Sequence, residues 1–186
     1  WPALIVAPLL VGILGALIER FGLRLVHKYG HVAELLLTFG LAYLIEEIVH
    51  LIWGRAAVDY KIPDALDFHA FSIYSTKYPA YRVFMMAISV GMLVSLYFAL
   101  KKTRVGLIIQ ASLTHPEMVE ALGHNVPRVF MLVFGAGAAL AGLAGVIGGN
   151  AFVTEPAMAV AVGSIVFVVV VFGGMGSLVG AFIASL

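Results

Sequence analysis

Long apolar runs, each closed by a short polar stretch, set the pattern of this sequence. They cover 2–18, 35–53, 83–100, 129–149 and 157–172, and a sixth begins near Leu178 and is cut off. A helix needs about 17 to 25 apolar residues to cross roughly 30 Å of hydrocarbon, so each run predicts a membrane span. Barrel strands are about half as long and alternate between apolar and polar positions, which these runs do not. The expected fold is all-α: a polytopic transmembrane helical bundle of about five full spans plus one truncated, forming one partial domain over 1–186.

Composition agrees with that pattern. The chain is 62% hydrophobic and 11% charged, with a mean hydropathy of +1.07, whereas a soluble domain carries about a quarter charged residues. A net charge of +1 supplies no clustered basic face for a phosphate backbone, so nucleic acid is not an expected partner. Cysteine is absent, which removes disulfides and thiolate metal sites. The opening "WPALIVAPLLVGILGALIER" has no initiator Met and no basic leader, and the closing "GAFIASL" ends inside an apolar run. The sequence is expected to be the interior of a longer chain.

Glycines suggest how the spans pack. In "FGAGAALAGLAGVIGGN", small residues recur four apart at Gly135/Ala139, Ala138/Gly142, Ala141/Gly145 and Gly145/Gly149, allowing close approach of a second backbone. A tight helix pair inside the bundle is expected, with a subunit-dimer face as the alternative. In "VFGGMGSLVG", Gly173, Gly174 and Gly176 separate two apolar runs without a charge between them. That break predicts a tight turn or a discontinuous helix at membrane depth, shielded from lipid.

Placing 19–34 and 101–128 on one side gives that side seven Lys/Arg, namely Arg20, Arg24, Lys28, Lys101, Lys102, Arg104 and Arg128. The other side has Arg55, Lys61, Lys77 and Arg82. "KKTR" directly follows the third span, so 19–34 and 101–128 are expected to be cytoplasmic loops and 54–81 an extracytoplasmic one. In the latter, Tyr60, Phe68, Phe71, Tyr74, Tyr78 and Tyr81 are expected to form an aromatic belt at headgroup level.

The segment "TRVGLIIQASLTHPEMVEALGHNVPR" carries charges and a proline in an otherwise oily chain. Thr114 and Glu117 have capping-box spacing, Pro116 falls in a first helical turn, and Gly123 suits a left-handed stop. About two turns of helix are predicted between them. Met118 and Leu122, four apart, share an apolar face with Val119 beside them, while Glu117 and Glu120 lie off it. So short a helix must be held at both ends. A plain surface loop is the alternative.

"EMVEALG", Glu117 to Gly123, resembles the E-A-A-x-x-x-G coupling loop of ABC-importer permeases. With "KKTRVGLIIQASLTHPE" before it, "NVPRVFMLVFGAGAALAGLAGVIGG" after it, and "LLLTFGLAYLIEEIV" and "VFGGMGSLVGAFIAS" elsewhere, most of the chain is similar to branched-chain amino acid transporter permeases. The resemblance implies a plasma-membrane subunit of a bacterial or archaeal cell, itself neither enzyme nor cofactor carrier. Its implied partners are two ATPase subunits that hold ATP and Mg, a second permease or a copy of itself, and an extracytoplasmic substrate-binding protein. Thr114, Pro116, Glu117, Met118, Val119, Glu120, Leu122 and Gly123 would make the ATPase contact. The chain contains no G-x-x-x-x-G-K-[ST] phosphate cradle of its own. Met118 and Val119 stand where the broad motif has two alanines, and its distal Leu-Pro is absent.

A second departure is "EEIVH", where uncharged amides would be expected at Glu46 and Glu47. On a helix Glu46 and His50 share a face, with Glu47 about 100° away, and Glu46 falls roughly 17 Å along the span from Leu35. A carboxylate at that depth is expected to be protonated, paired with His50, or turned to a wet cavity. Thr38, Gly40, Glu46, Glu47 and His50 on this span, with Gly173, Gly174, Gly176 and Ser177 at the break, are the candidates for a substrate path. Other readings of the cluster are a neutral hydrogen-bonded pair holding two spans, or a proton relay in a secondary carrier needing no ATPase. Glu47 and His50 have the E-x-x-H spacing of di-iron bundles, but no second copy exists, so no metal is expected. No G-x-S-x-G accompanies the histidines, which argues against a serine protease.

Overall fold

A computed structural model describes residues 2–57, 69–73, 76–149, 154–155, 157–174 and 177–185. Its helices follow the apolar runs. They are α1 (Ala3–Ile18), α3 (His31–Trp53), α4 (Ala80–Lys102), α7 (Val126–Gly148), α8 (Met158–Gly173) and α9 (Leu178–Ser185). Among the described residues, four helical stretches are long and apolar enough to cross a membrane: Ala3–Tyr29, Val32–Trp53, Ala80–Lys102 and Val126–Gly148. The 16 residues of α8 rise about 24 Å, somewhat short of a full crossing.

Two stretches expected to be loops are largely helical. After α1 the chain continues through a π-helical turn (Glu19–Leu23), the short α2 (Arg24–Val26) and a 3-10 turn (His27–Tyr29). Gly30, at φ 91°, makes the break before α3, a conformation that glycine adopts without steric penalty. Between α4 and α7 lie α5 (Arg104–Thr114) and α6 (Pro116–Ala121), so two helices occupy the segment where one was expected. In 54–81 an antiparallel ladder joins β1 (His69–Ile73) to β2 (Thr76–Pro79), with Phe71 opposite Tyr78. Tyr60, Phe68 and Tyr74 of the expected belt lie outside the described residues. Tyr81 departs from that expectation: it is buried and its Oη donates to the Ile147 carbonyl at 2.6 Å.

The chain divides into two compact units. The first comprises Trp1–Phe39 and Lys61–Ala151, and its centre is the contact between α1 and α7. Gly12, Gly15 and Ala16 of α1 meet Gly135, Ala138 and Ala139 of α7. A Cβ on Gly15 would sit 2.5 Å from that of Ala138, and one on Gly135 would sit 3.0 Å from the Gly12 carbonyl. Further along, Gly142 lies against Val11 and Ala7. As numbers rise on α1 they fall on α7, so the helices run antiparallel. The small-residue pattern of α7 therefore makes a helix pair within the chain, through Gly135, Ala138, Ala139 and Gly142. Gly145, also in that pattern, has open space where a Cβ would go. The partner glycines on α1 were not anticipated.

This register fixes which ends lie together. The turn after α1 reaches the first part of α7, next to which α5 and α6 also pack. Tyr81, at the start of α4, meets the last turn of α7 at the other end of the pair. The second unit comprises Gly40–Tyr60 and Phe152–Leu186. Within it α8 and α9 form a tight helical hairpin.

Replacing Gly15 by Val should push α1 off α7, because the obstructing atoms are an Ala Cβ and backbone that have nowhere to go. Overpacking of this kind costs about 3 kcal/mol, whereas Gly145→Ala, with open space for its methyl, should raise stability by about 0.5 to 1 kcal/mol. Thermal unfolding midpoints of the two variants in detergent compare them directly.

Candidate functional site

The first candidate site is built around α6. His115, at φ −140°, separates it from α5, and Pro116 occupies its first turn, where a missing N–H is harmless. The expected capping box does not form. Thr114 Oγ1 donates back to the Gln110 carbonyl at 2.8 Å, so Thr114 belongs to the last turn of α5, and the residue at the start of α6 is His115, without a side-chain cap.

The C-terminal stop is a paired-bond turn. Gly123, at φ 87°, donates to Glu120 O at 2.9 Å, and His124 donates to Val119 O at 3.2 Å. These are the two bonds of a Schellman motif, which needs a left-handed residue where Gly123 stands. Asn125 then starts α7, its Oδ1 accepting from the Arg128 N–H at 3.1 Å. Sequence reasoning missed this cap, although Asn two residues before a Pro is a recognisable start signal.

Side chains divide cleanly around α6. Val119 is 5% exposed, while Met118 is 67% and Leu122 79% exposed. The expected apolar face of three thus splits: Val119 turns into the protein and anchors the helix, and Met118 with Leu122 forms the outward peg. Glu117 and Glu120 are exposed beside it.

Behind α6 the α4–α5 corner is closed by side chains. Thr103 Oγ1 donates to Ala99 O at 2.5 Å and accepts from the Gly106 N–H at 3.1 Å. Gln110 Nε2 donates to Leu100 O at 3.0 Å. At the neighbouring end of α1, Glu19 is buried and its Oε2 has no hydrogen-bond partner. His27 Nδ1 pairs with Glu34 across the Gly30 break.

The second candidate set lies on α3 and the α8–α9 turn. Thr38 Oγ1 donates to Leu35 O at 2.9 Å, and Gly40 has open space beside it. Pairing with His50 is one of three states expected for Glu46; His50 Nδ1 lies 3.6 Å from Glu47 Oε2, an i,i+3 approach, and has no hydrogen bond. The imidazole is mostly covered, at 17% exposure. At the break, Gly174 has φ 85° and Ser177 Oγ accepts from the Gly180 N–H at 3.0 Å. Gly173 and Gly180 stand back to back, and a side chain on Gly180 would strike the Gly173 carbonyl. Gly176 lies outside the described residues. Among the described residues no three His, Asp or Glu side chains gather to hold a metal ion.

The apolar spans and their glycine-packed core define a multi-pass helical membrane protein. Over residues 1–186 the chain matches the family described as branched-chain amino acid transport system / permease component, and it belongs to that family. The high-affinity branched-chain amino acid transport system permease protein LivH of Escherichia coli (strain K12) is 28% identical over 174 residues, 91% of this chain and 56% of that protein. The Salmonella typhimurium protein of the same name matches with the same identity and coverage. The chain thus spans 56% of the length of these curated relatives. No protein of solved structure matches it.

Val119 and Met118 should respond in opposite ways to the same change. Val119→Asp places an unpaired carboxylate in a closed site and should lower stability by about 3 kcal/mol. Met118→Asp should leave it within about 0.5 kcal/mol. Denaturation of the two purified variants in parallel gives the comparison.

Proposed function

We propose that this chain is part of a permease subunit of an ATP-binding-cassette importer in the plasma membrane, carrying branched-chain amino acids or related small amino acids and amides. ATP would be hydrolysed on two separate ATPase subunits. A second permease, or a copy of this one, would complete the passage, and an extracytoplasmic binding protein would deliver the cargo.

The observation that carries this reading is α6. Two turns of helix are unstable alone in water, yet here they are fixed at the start by Pro116, at the end by Gly123 and underneath by Val119. The result holds Met118 and Leu122 outward on a rigid mount. Such a peg suits an apolar groove on a soluble partner, with Glu117 and Glu120 at its rim. Membership of the permease family supports the choice of an ATPase as that partner.

For the cargo, Gly40, Glu46, Glu47 and His50 on α3 and the backbone break at Gly173, Gly174 and Ser177 are the proposed lining, with Thr38 and Gly176 neighbouring them in sequence. Unwound backbone at membrane depth offers carbonyl and N–H groups to a zwitterion.

Leu122→Asp and Glu117→Lys should each reduce uptake of labelled leucine, isoleucine or valine by about tenfold or more and weaken co-purification of the ATPase, as loss of about 1.4 kcal/mol of contact energy implies. The protein should still insert in the membrane. Normal uptake in both variants would refute the coupling role.

The Glu47–His50 approach gives some support to a second reading, a proton-coupled carrier. On that reading, vesicles without ATP would show pH-dependent uptake that Glu46→Gln or Glu47→Gln flattens. Complete absence of ATP-free uptake removes it.

A further inference from the structure

We propose that the α4–α5 corner is a rigid elbow that carries displacement of α6 into the α4 span, with Thr103, Gly106 and Gln110 as its positioning residues. This rests on the coupling role proposed for α6 and specifies the path behind it.

A helix C-terminus leaves four carbonyls without intrahelical donors. In α4, Ala99 O and Leu100 O belong to this set, and both receive a donor from beyond the helix: Thr103 Oγ1 at 2.5 Å and Gln110 Nε2 at 3.0 Å. Thr103 Oγ1 also accepts from the Gly106 N–H, serving as N-cap of α5. One side chain therefore closes one helix and opens the next.

Gly106 makes the corner tight. It is buried, and a Cβ there would sit 2.5 Å from Ala99 O and collide with Leu100 O. The end of α4 and the first turn of α5 are thus in backbone contact, and a corner built of backbone has no rotamers through which to yield.

Three more features make the path stiff from end to end. Ser112 of α5 is 1% exposed and turns its hydroxyl back to Ile108 O at 2.7 Å, so the hydroxyl is satisfied within α5 itself. Only His115 lies between α5 and α6. At the far end of α4, Tyr81 Oη is fixed to Ile147 O of α7 at 2.6 Å. A push on α6 therefore moves α5 and the end of α4 together, and α4 tilts about Tyr81.

The test uses the assembled transporter reconstituted in vesicles. The described chain has no cysteine of its own, so Phe98→Cys and Leu107→Cys, both at exposed positions, can carry a spin-label pair across the elbow. With Gln110 in place, the α4–α5 distance should stay within about 2 Å through ATP binding and hydrolysis. Gln110→Glu keeps the shape of the side chain and removes its donor; ATP hydrolysis should continue while amino acid uptake per ATP falls by about tenfold or more. Gln110→Lys, which restores a donor, should recover coupling.

A label distance that shifts with ATP in the intact elbow overturns the proposal, as does wild-type uptake per ATP in Gln110→Glu. If Gln110→Glu fails to assemble, the label pair in the Gln110 protein decides alone. Loss of uptake in Leu122→Asp with full coupling in Gln110→Glu would remove the elbow and spare the coupling role. Normal uptake in Leu122→Asp would remove that role itself.

Discussion

The antiparallel contact between α1 and α7 is the constraint on which the first unit depends. In lipid no hydrophobic force brings two helices together, because a neighbouring acyl chain is as apolar as a leucine. Association must come from close-range dispersion, and each atom pair contributes only about 0.1 to 0.2 kcal/mol at optimal separation. Gly12, Gly15 and Gly135 remove the side chains that would hold the backbones apart. A single register then satisfies all three glycines together with Ala138, Ala139 and Gly142. That register brings the turn after α1 to the start of α7, and with it fixes the level at which α5 and α6 are held.

The second recurrent feature is that helix ends are closed by the chain's own side chains and turns. Tyr81 donates to the last turn of α7, Thr103 and Gln110 to the end of α4, Asn125 accepts at the start of α7, and the Gly123 turn closes α6. The Tyr81 bond is buried, where a backbone group left without a partner is expensive, while those of Thr103, Gln110 and Asn125 lie at exposed helix ends. Their by-product is mechanical. Segments that would be flexible if water satisfied their ends become fixed joints, and 104–121 is two packed helices instead of a tether.

What could be read from the sequence, and what could not, follows from the range of the interactions involved. Apolar runs determine spans because the hydrocarbon thickness imposes a length, and each predicted run is helical. The small residues on α7 announced a close approach, but choosing Gly12 and Gly15 as partners requires knowing which span lies opposite. Helix α5 escaped notice because, at 11 residues, it falls below spanning length and its Arg104 and Gln110 resemble loop polarity; Gln110 in fact serves α4. Glu46 was the geometrically reasonable partner for His50 at i,i+4, yet the imidazole leans toward Glu47, a rotamer choice that spacing cannot resolve. Thr114 had the right offset for a capping box, but its hydroxyl was already used one turn back. Val119 shows the same limit in packing: adjacency to Met118 in sequence says nothing about which of the two points inward.

The composition of the α6 peg bears on where it can sit. Met118 and Leu122 expose apolar surface that water disfavours by about 25 cal/mol per Å², which alone would draw the helix into the bilayer. Glu117 and Glu120 stand exposed on the same two turns, and carrying a carboxylate into hydrocarbon costs several kcal/mol. Lipid therefore suits half of the helix and water the other half. Val119 prevents the compromise of rolling to hide the apolar pair, because turning Met118 and Leu122 inward would turn Val119 out of its buried site. An apolar groove with a polar rim, as on the partner proposed above, would satisfy both halves without that rotation.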